Sequence, residues 1–305
     1  MAKFLKEKPN MFEFWDGFWS TYSALIFGIG INAMLALSIA LTLSCGLLSL
    51  ANAAFMGLGA YAAATATVQF GLPLEFGLVL GIILPALVAL VVGIPTLRLS
   101  GVYLAMATLG FGEVLRVVIL NIDFIGGPMG LNGIPHLTTI WHILFSLLLS
   151  IFIIWRIRQS KVGRAFEAIR EDEIAARLMG VNVTKYKLIA FIVGAGIAGL
   201  AGGLNAHYTY TIGPNNYAFE NAVDILTMAV FGGANSLLGP ILGGTILTLL
   251  PEVLRGLKEY RLAINGLVLI FVILYLPNGL WNATRFKVWQ AKRALKRNGQ
   301  EFDRA

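Results

Sequence analysis

Between Thr21 and Leu97 the chain carries one charged residue, Glu75. A stretch that long without charge leaves little choice of solvent. An apolar run of about 20 residues spans a hydrocarbon core about 30 Å thick as a helix. Apolar segments recur at roughly 21–43, 45–70, 74–97, 101–120, 137–155, 188–206, 222–254 and 262–281. The segment at 222–254 is too long for one simple span, and GGANSLLGP interrupts it at 232–240, which predicts two short helices joined by a turn. The stretch SCGLLSLANAAFMGLGAY at 44–61 is similarly ill suited to a straight helix. Broken backbone at membrane depth survives only where protein or a water-filled cavity surrounds it.

These features predict an all-α fold, a polytopic transmembrane helical bundle of about 8–10 spans that includes broken or re-entrant helices. Composition agrees: 57% of residues are hydrophobic and 13% charged, with a mean hydropathy of +0.77. Soluble domains carry about 25% charged residues. The 34 glycines suit helices that approach closely in lipid. The division expected is a leader at 1–20, a transmembrane domain at 21–284 and a basic tail at 285–305. The leader lacks the apolar core and cleavage site of a signal peptide. It ends in an aromatic interfacial stretch: Phe12, Phe14, Trp15, Phe18 and Trp19.

The net charge of +7 does not point to nucleic acid, because the basic residues flank apolar spans and no recognition module accompanies them. By the positive-inside rule the loop at 156–187 and the tail after Arg285 are both cytoplasmic. For the N-terminus two signals oppose each other. Five spans counted back from Arg156 put it outside, whereas Lys3, Lys6 and Lys8 favour the inside. Cys45 stands alone in an apolar run and reads as a small packing residue.

The 156–187 loop is the one long polar insertion, with eight basic and four acidic residues. Gly163 opens a helical stretch, AFEAIREDEIAARLM, and Gly180 closes it. Ala165, Ile169, Ala176 and Met179 fall near one face, an apolar ridge that suits a groove on another protein. Glu167, Arg170, Glu171 and Glu173 take other faces, with Glu173 and Arg177 spaced for an i, i+4 pair. Four acids disfavour a resting place on an anionic leaflet.

Catalytic and energising chemistry is missing. No GxxxxGK[ST] motif occurs to cradle ATP phosphates. No metal-ligand spacing or nucleophile elbow appears, and His136, His142 and His207 are scattered, as structural hydrogen-bonders would be. The chain is not expected to be an enzyme. Ionisable residues within spans, which relay protons or couple sodium in carriers, are few. Glu113 and Arg116 are spaced to pair near a span end, and Asp224 marks a span start.

The residues also carry a resemblance. QSKVGRAFEAIREDEIAARLMGVNVTKYKLIAF resembles the cytoplasmic loop of ABC importer permeases of the branched-chain amino acid, LivM-type family. RLSGVYLAMATLGFGEVLRVVILNIDFIGGPMGLNGIP at 98–135, LSLANAAFMGLGAYAAA at 48–64 and MAVFGGANSLLGPILGGTILTLLPEVLR at 228–255 are similar to three further family blocks, in the same order. Together these cover about 30 to 281. Ala51 and Asn52 depart from the Gly followed by His or Gln that family members commonly carry there.

The resemblance implies a multi-pass permease subunit in the bacterial cell (inner) membrane, moving branched-chain amino acids or related small polar solutes. No cofactor would belong to this chain; ATP and Mg would sit on cytoplasmic ATP-binding partner subunits. The other partners implied are a second homologous permease chain and an extracytoplasmic binding protein docking on loops 121–136 and 207–221. Gly163, Arg164, Glu167, Arg170, Glu171, Glu173 and Gly180 would form the ATPase-coupling loop, with Glu171 its principal polar contact. Asn52, Tyr61, Tyr103, Thr108, Glu113, Asn132, Asn221, Gly232, Gly233 and Ser236 are the candidates for the substrate path. A permease for urea, amides or nucleosides, an ATP-independent channel or secondary carrier, and a membrane scaffold remain alternatives. Small residues four apart in GAGIAGLAGG (Ala195, Gly199, Gly203) predict close helix contact, within the chain or with a partner.

Overall fold

A computed structural model describes residues 11–253 apart from 235, together with 266, 267 and 270, with side chains from 22 to 250 and at those last three. The expected span at 262–281 falls almost entirely outside the described residues, and the tail at 285–305 wholly so. Ten helices are described: α1 Met11–Ser44, α2 Asn52–Val68, α3 Leu74–Thr96, α4 Val102–Leu120, α5 Ile140–Gln159, α6 Lys161–Glu171, α7 Glu173–Leu178, α8 Val183–Thr209, α9 Phe219–Gly232 and α10 Gly239–Val253. The one ribbon pairs β1 Leu131–Asn132 with β2 Thr211–Ile212, antiparallel. The fold is an all-α multi-pass bundle. The second half of the expected leader is instead helical and continuous with α1, since nothing between Met11 and Thr21 breaks a helix.

Among the described residues five helices are long and apolar enough to cross a membrane: Tyr22–Ser44 of α1, α3, α4, α5 and α8. The broken segments fall where the turn residues put them. Residues 45–51 are non-helical, so α2 has only 17 residues, about 25 Å of helix. The segment at 222–254 divides into α9 and α10, 14 and 15 residues long, with the Gly-rich turn between them.

Burial sorts the helices. Within their apolar windows α8 is 72% and α1 67% buried, whereas α3, α4 and α5 are 22–28% buried. The outer three present rows of exposed Val, Leu, Ile and Phe, such as Phe76, Val91, Val114, Phe145 and Phe152. Lipid covers such surfaces at no cost, so burial is not what brings helices together here. Close packing is. At the crossing of α2, α3 and α8 the backbones touch. Gly59 lies against the Gly199 backbone, Gly199 against Gly81 and the Pro85 ring, and Gly202 against Met56. None of the three has room for a Cβ. The small residues of GAGIAGLAGG therefore pack within the chain.

The helix ends also order the bundle. Phe27, near the start of the apolar span of α1, stacks on Tyr208 near the end of α8, with ring centroids 4.3 Å apart. Gly46, just past the other end of α1, lies against Arg170 of α6. The described start of α1 is thus on the opposite side from the 156–187 loop, as counting five spans requires. His207 ties the same end of α8 to α2. Its Nδ1 is 2.8 Å from the Gly203 carbonyl and its Nε2 2.9 Å from the Thr67 hydroxyl. Nδ1 faces a carbonyl, so it is the nitrogen that carries the proton. The role is structural.

Replacing Gly59 by Ala forces a methyl into the Gly199 backbone. We expect a loss of roughly 1–3 kcal/mol of stability. The check is a lower melting temperature of the detergent-solubilised protein relative to the wild type.

Candidate functional site

The polar loop does not form the single helix that its pattern predicts. Ser160 caps α6, its Oγ accepting from the Val162 N–H at 3.1 Å. The helix then stops at Asp172, an extended residue with φ −155°. Asp172 Oδ1 accepts from the N–H groups of Ile174 (2.8 Å) and Ala175 (3.0 Å), starting α7 afresh. An Asp that finds two free N–H groups is a better cap than a helix interior residue. Gly163 accordingly does not open the helix. It sits inside α6, buried against the backbone of Arg158. Gly180 does close α7, at φ +84°, a left-handed conformation that suits glycine.

The break rearranges the apolar ridge. Ala165, Phe166 and Ile169 of α6 are buried, as is Ala176 of α7. Three of the four ridge residues thus face their own bundle. Met179 is 85% exposed, and beside it stand Leu178 at 83% and Ile174 at 74%. This trio had a visible signal, three large apolar residues inside a charged loop, but reading the loop as one helix put only Met179 on the docking face. Elsewhere on the loop Arg164, Glu167 and Glu171 are exposed, and Arg170 pairs with Glu171 at 2.8 Å. Glu173 turns inward. It meets Arg177 at 3.2 Å and the buried Lys187 ammonium at 2.6 Å, so it clips α7 to the start of α8.

Cys45, next to that clip, is fully buried. Burial pushes its thiol up to about 12, with Lys187 pulling it down and Glu173 raising it again.

The candidate path residues are spread through the bundle. Asn52 is buried, donating to Ser38 Oγ at 2.7 Å. Thr108 accepts from the Leu50 N–H at 3.0 Å, fixing the non-helical segment before α2. Tyr61 is buried, its hydroxyl 3.5 Å from the Ile212 carbonyl and its ring edge-on to Tyr217. Tyr103 is exposed at the start of α4, and Asn132 lies on the ribbon. Gly232, Gly233 and Ser236 build the α9–α10 turn, where Ser236 Oγ accepts from Gly239 N–H at 2.7 Å. Arg158 at the end of α5 holds this turn by donating to the Ala234 carbonyl at 3.0 Å.

Glu113 borders a small open cleft, and Asn221 belongs to α9, which supplies one of its walls. One wall is the start of α2 (Leu50, Ala53, Ala54) and another is α4 (Leu109, Gly112, Glu113). The third runs from Tyr217 into α9 (Ala218, Phe219, Ala222). Tyr217 belongs to a short 3-10 turn, Pro214–Tyr217, that packs its ring over Gly57 of α2. Its hydroxyl is buried with no hydrogen-bond partner among the described residues. Asn221 donates to the Asn216 carbonyl at 2.8 Å and steadies this turn.

Glu113 and Arg116 do pair, at 2.8 Å, and Arg116 also donates to Asn215 Oδ1 at 3.2 Å. Their place differs from the span end expected: Glu113 is two residues past Phe111, the middle of α4. Both side chains are part-exposed, Glu113 37% and Arg116 28%. A charge at the centre of a lipid-facing helix costs about 3 kcal/mol or more, so such residues face a cavity or a partner. The small residues of the cleft carry no signature in the sequence, which is why only Glu113 among its lining residues was legible there.

Comparison with known proteins agrees with this architecture. Residues 21–275 match the family described as branched-chain amino acid transport system / permease component. The chain is 33% identical over 296 residues to the high-affinity branched-chain amino acid transport system permease protein LivM of Salmonella typhimurium, covering 86% of this chain and 68% of the relative. It is 33% identical over 143 residues to the permease protein LivH of the same kind of system in Escherichia coli, 46% of each chain. A probable LivM of Methanocaldococcus jannaschii is 26% identical over 233 residues, 67% of this chain and 68% of that one. No solved structure matches.

Two measurements test the geometry of the loop. Glu173→Gln leaves the Lys187 ammonium buried without its charge partner and lowers stability by about 1–3 kcal/mol, read as a fall in melting temperature. Cys45, fully buried in the folded protein, resists maleimide at pH 8 and is labelled after denaturation.

Proposed function

The chain belongs to the branched-chain amino acid transport permease family, and on that premise we propose how it works: as the multi-pass, inner-membrane permease subunit of an ABC importer whose ATP is hydrolysed by separate subunits. The cargo proposed is branched-chain amino acids. The observation that carries the coupling role is the α7 surface. Ile174, Leu178 and Met179 are exposed at the tip of a charged loop whose other apolar residues are buried. An apolar knob on a loop that also exposes Arg164, Glu167, Glu171 and Arg177 fits a groove on a soluble partner. In this reading the ATPase holds α7. Movement of α7 passes to the bundle through Glu173–Lys187 into α8, and through α6 lying on Gly46 at the end of α1.

On the opposite side, β1 and β2 join the two loops proposed for the binding protein, 121–136 and 207–221, into one surface. A second homologous permease chain would complete the pore. Mg and ATP belong to the partner subunits in this reading, and no catalytic step is assigned to this chain. The departure at Ala51 and Asn52 does not argue for another cargo: Asn52 is occupied with Ser38 and 3% exposed.

Leu178→Asp, in the assembled importer with its ATPase and binding protein, should lower uptake and stimulated ATP hydrolysis at least about tenfold, as loss of an interface anchor does. Membrane insertion should be unchanged, since Leu178 is 83% exposed. Full co-purification of the ATPase with this variant, together with normal uptake, would overturn the docking role of α7.

A further inference from the structure

We propose that the outer face of α4, centred on Gly110, is the surface through which this chain meets the second permease chain within the membrane. This rests on the permease reading and adds the interface to it. The apolar windows of α3, α4 and α5 are all less than a third buried, so each helix has a face that something else covers. Those faces differ in kind. Between Phe76 and Ile94 every exposed residue of α3 is bulky and apolar, and the three glycines of that helix all lie on its packed side. The α5 face is equally bulky and has no glycine. Its exposed Trp141 and Trp155 stand near its two ends, as aromatic residues do at the two headgroup layers. Both faces suit acyl chains.

The α4 face does not. At 3.6 residues per turn Tyr103, Met106, Gly110, Val114 and Val117 share one stripe, and all five are exposed. A Cβ on Gly110 would meet nothing within 4 Å. Glycine inside a helix weakens it, and no contact among the described residues requires one here. What it offers is bare backbone for another helix to approach, a recurrent device of helix pairing in lipid. The ion pair is an independent sign. Glu113, on the flank of the stripe, and Arg116 are part-exposed near mid-span, where charged groups are set against protein or water and not lipid.

Depth in the membrane selects the occupant. A soluble ATPase and an extracytoplasmic binding protein do not reach the middle of a span, so the cover is itself a membrane chain. Glu113 and Arg116 neutralise one another, so the opposing surface needs no countercharge, only a close-fitting helix. A homologous permease chain has that character, and two such chains related by a pseudo-two-fold axis turn equivalent faces to each other.

The test is assembly, read on tagged chain purified from membranes that hold the complete importer. Gly110→Leu places a side chain where this chain leaves open space, so its own melting temperature should match the wild type or rise. Recovery of the second permease chain with it should fall at least about tenfold, as when an interface centre is blocked. Val91→Phe, on the exposed face of α3, should keep the wild-type recovery. Photo-crosslinking gives a second readout: p-benzoylphenylalanine introduced at Val114 should join this chain to the second permease chain, and at Val91 it should not. Undiminished recovery with Gly110→Leu overturns the interface. So does a Val114 adduct with a second copy of this chain, with another segment of the same chain, or with lipid alone. Should Gly110→Leu lower the melting temperature, the Val114 cross-link decides by itself. If the wild-type chain brings down no second permease chain at all, it is the paired-permease reading that fails.

Discussion

The contact of α2, α3 and α8 through bare backbone is the interaction on which the rest of the bundle depends. In lipid the hydrophobic effect does not distinguish a helix facing a helix from a helix facing acyl chains, so association rests on dispersion at close range. Gly59, Gly81, Gly199 and Gly202 permit that range, and the Pro85 ring fills the remaining space beside Gly199. The result is a close-packed centre made from two full spans, α3 and α8, and one short helix, α2, that begins after a non-helical approach. A short helix starting within the membrane is stable only if its unpaired N–H groups are met. Here the approach to α2 is held by Thr108 Oγ1, which accepts from the Leu50 N–H, and by Ser49 Oγ, which accepts from the Ala51 N–H. The glycine contact and the broken approach to α2 are two parts of one arrangement.

Much of this was legible because lipid makes strict demands. Apolar length located all five span-length helices, and turn residues located both breaks, at 45–51 and between α9 and α10. The small-residue spacing of Ala195, Gly199 and Gly203 announced close packing, although only the structure shows that the partners are α2 and α3 of the same chain. The polar loop was harder. Glu, Asp, Arg and Ala are all compatible with a helix interior, and the residues around Asp172 give no apolar period strong enough to show the break. Capping by Asp172 competes with continuing the helix, and which wins depends on where Ile169 and Ala176 find burial. The cleft was nearly invisible for a different reason. Alanine and glycine are common throughout such a chain, and what makes Ala54 and Gly112 a floor is that α2 and α4 cross there.

The charged residues divide into those that hold the fold and those left available. Lys187, buried, is neutralised by Glu173, and Arg158 is occupied at the Ala234 carbonyl. Both attach the loop side of the molecule to the bundle: Lys187 to α8, Arg158 to the α9–α10 turn. Glu113 and Arg116 are different. They satisfy one another, yet remain part-exposed where lipid would be a poor neighbour.

These attachments connect the two ends of the chain's work. The α9 helix begins at the cleft, beside Tyr217 and Ala218, and ends at the turn that Arg158 holds. It is 14 residues long, about 21 Å, and stiff over that length. A displacement of α6 and α7 reaches the end of α5 directly, because only Ser160 separates α5 from α6. Arg158 in turn joins α5 to the far end of α9. The glycine-packed α2 faces the start of α9 and is fixed to α8 at its other end by Thr67 and His207. In the proposed reading α2 stays with the packed centre while α9 is tied, through Arg158 and α5, to the docking loop.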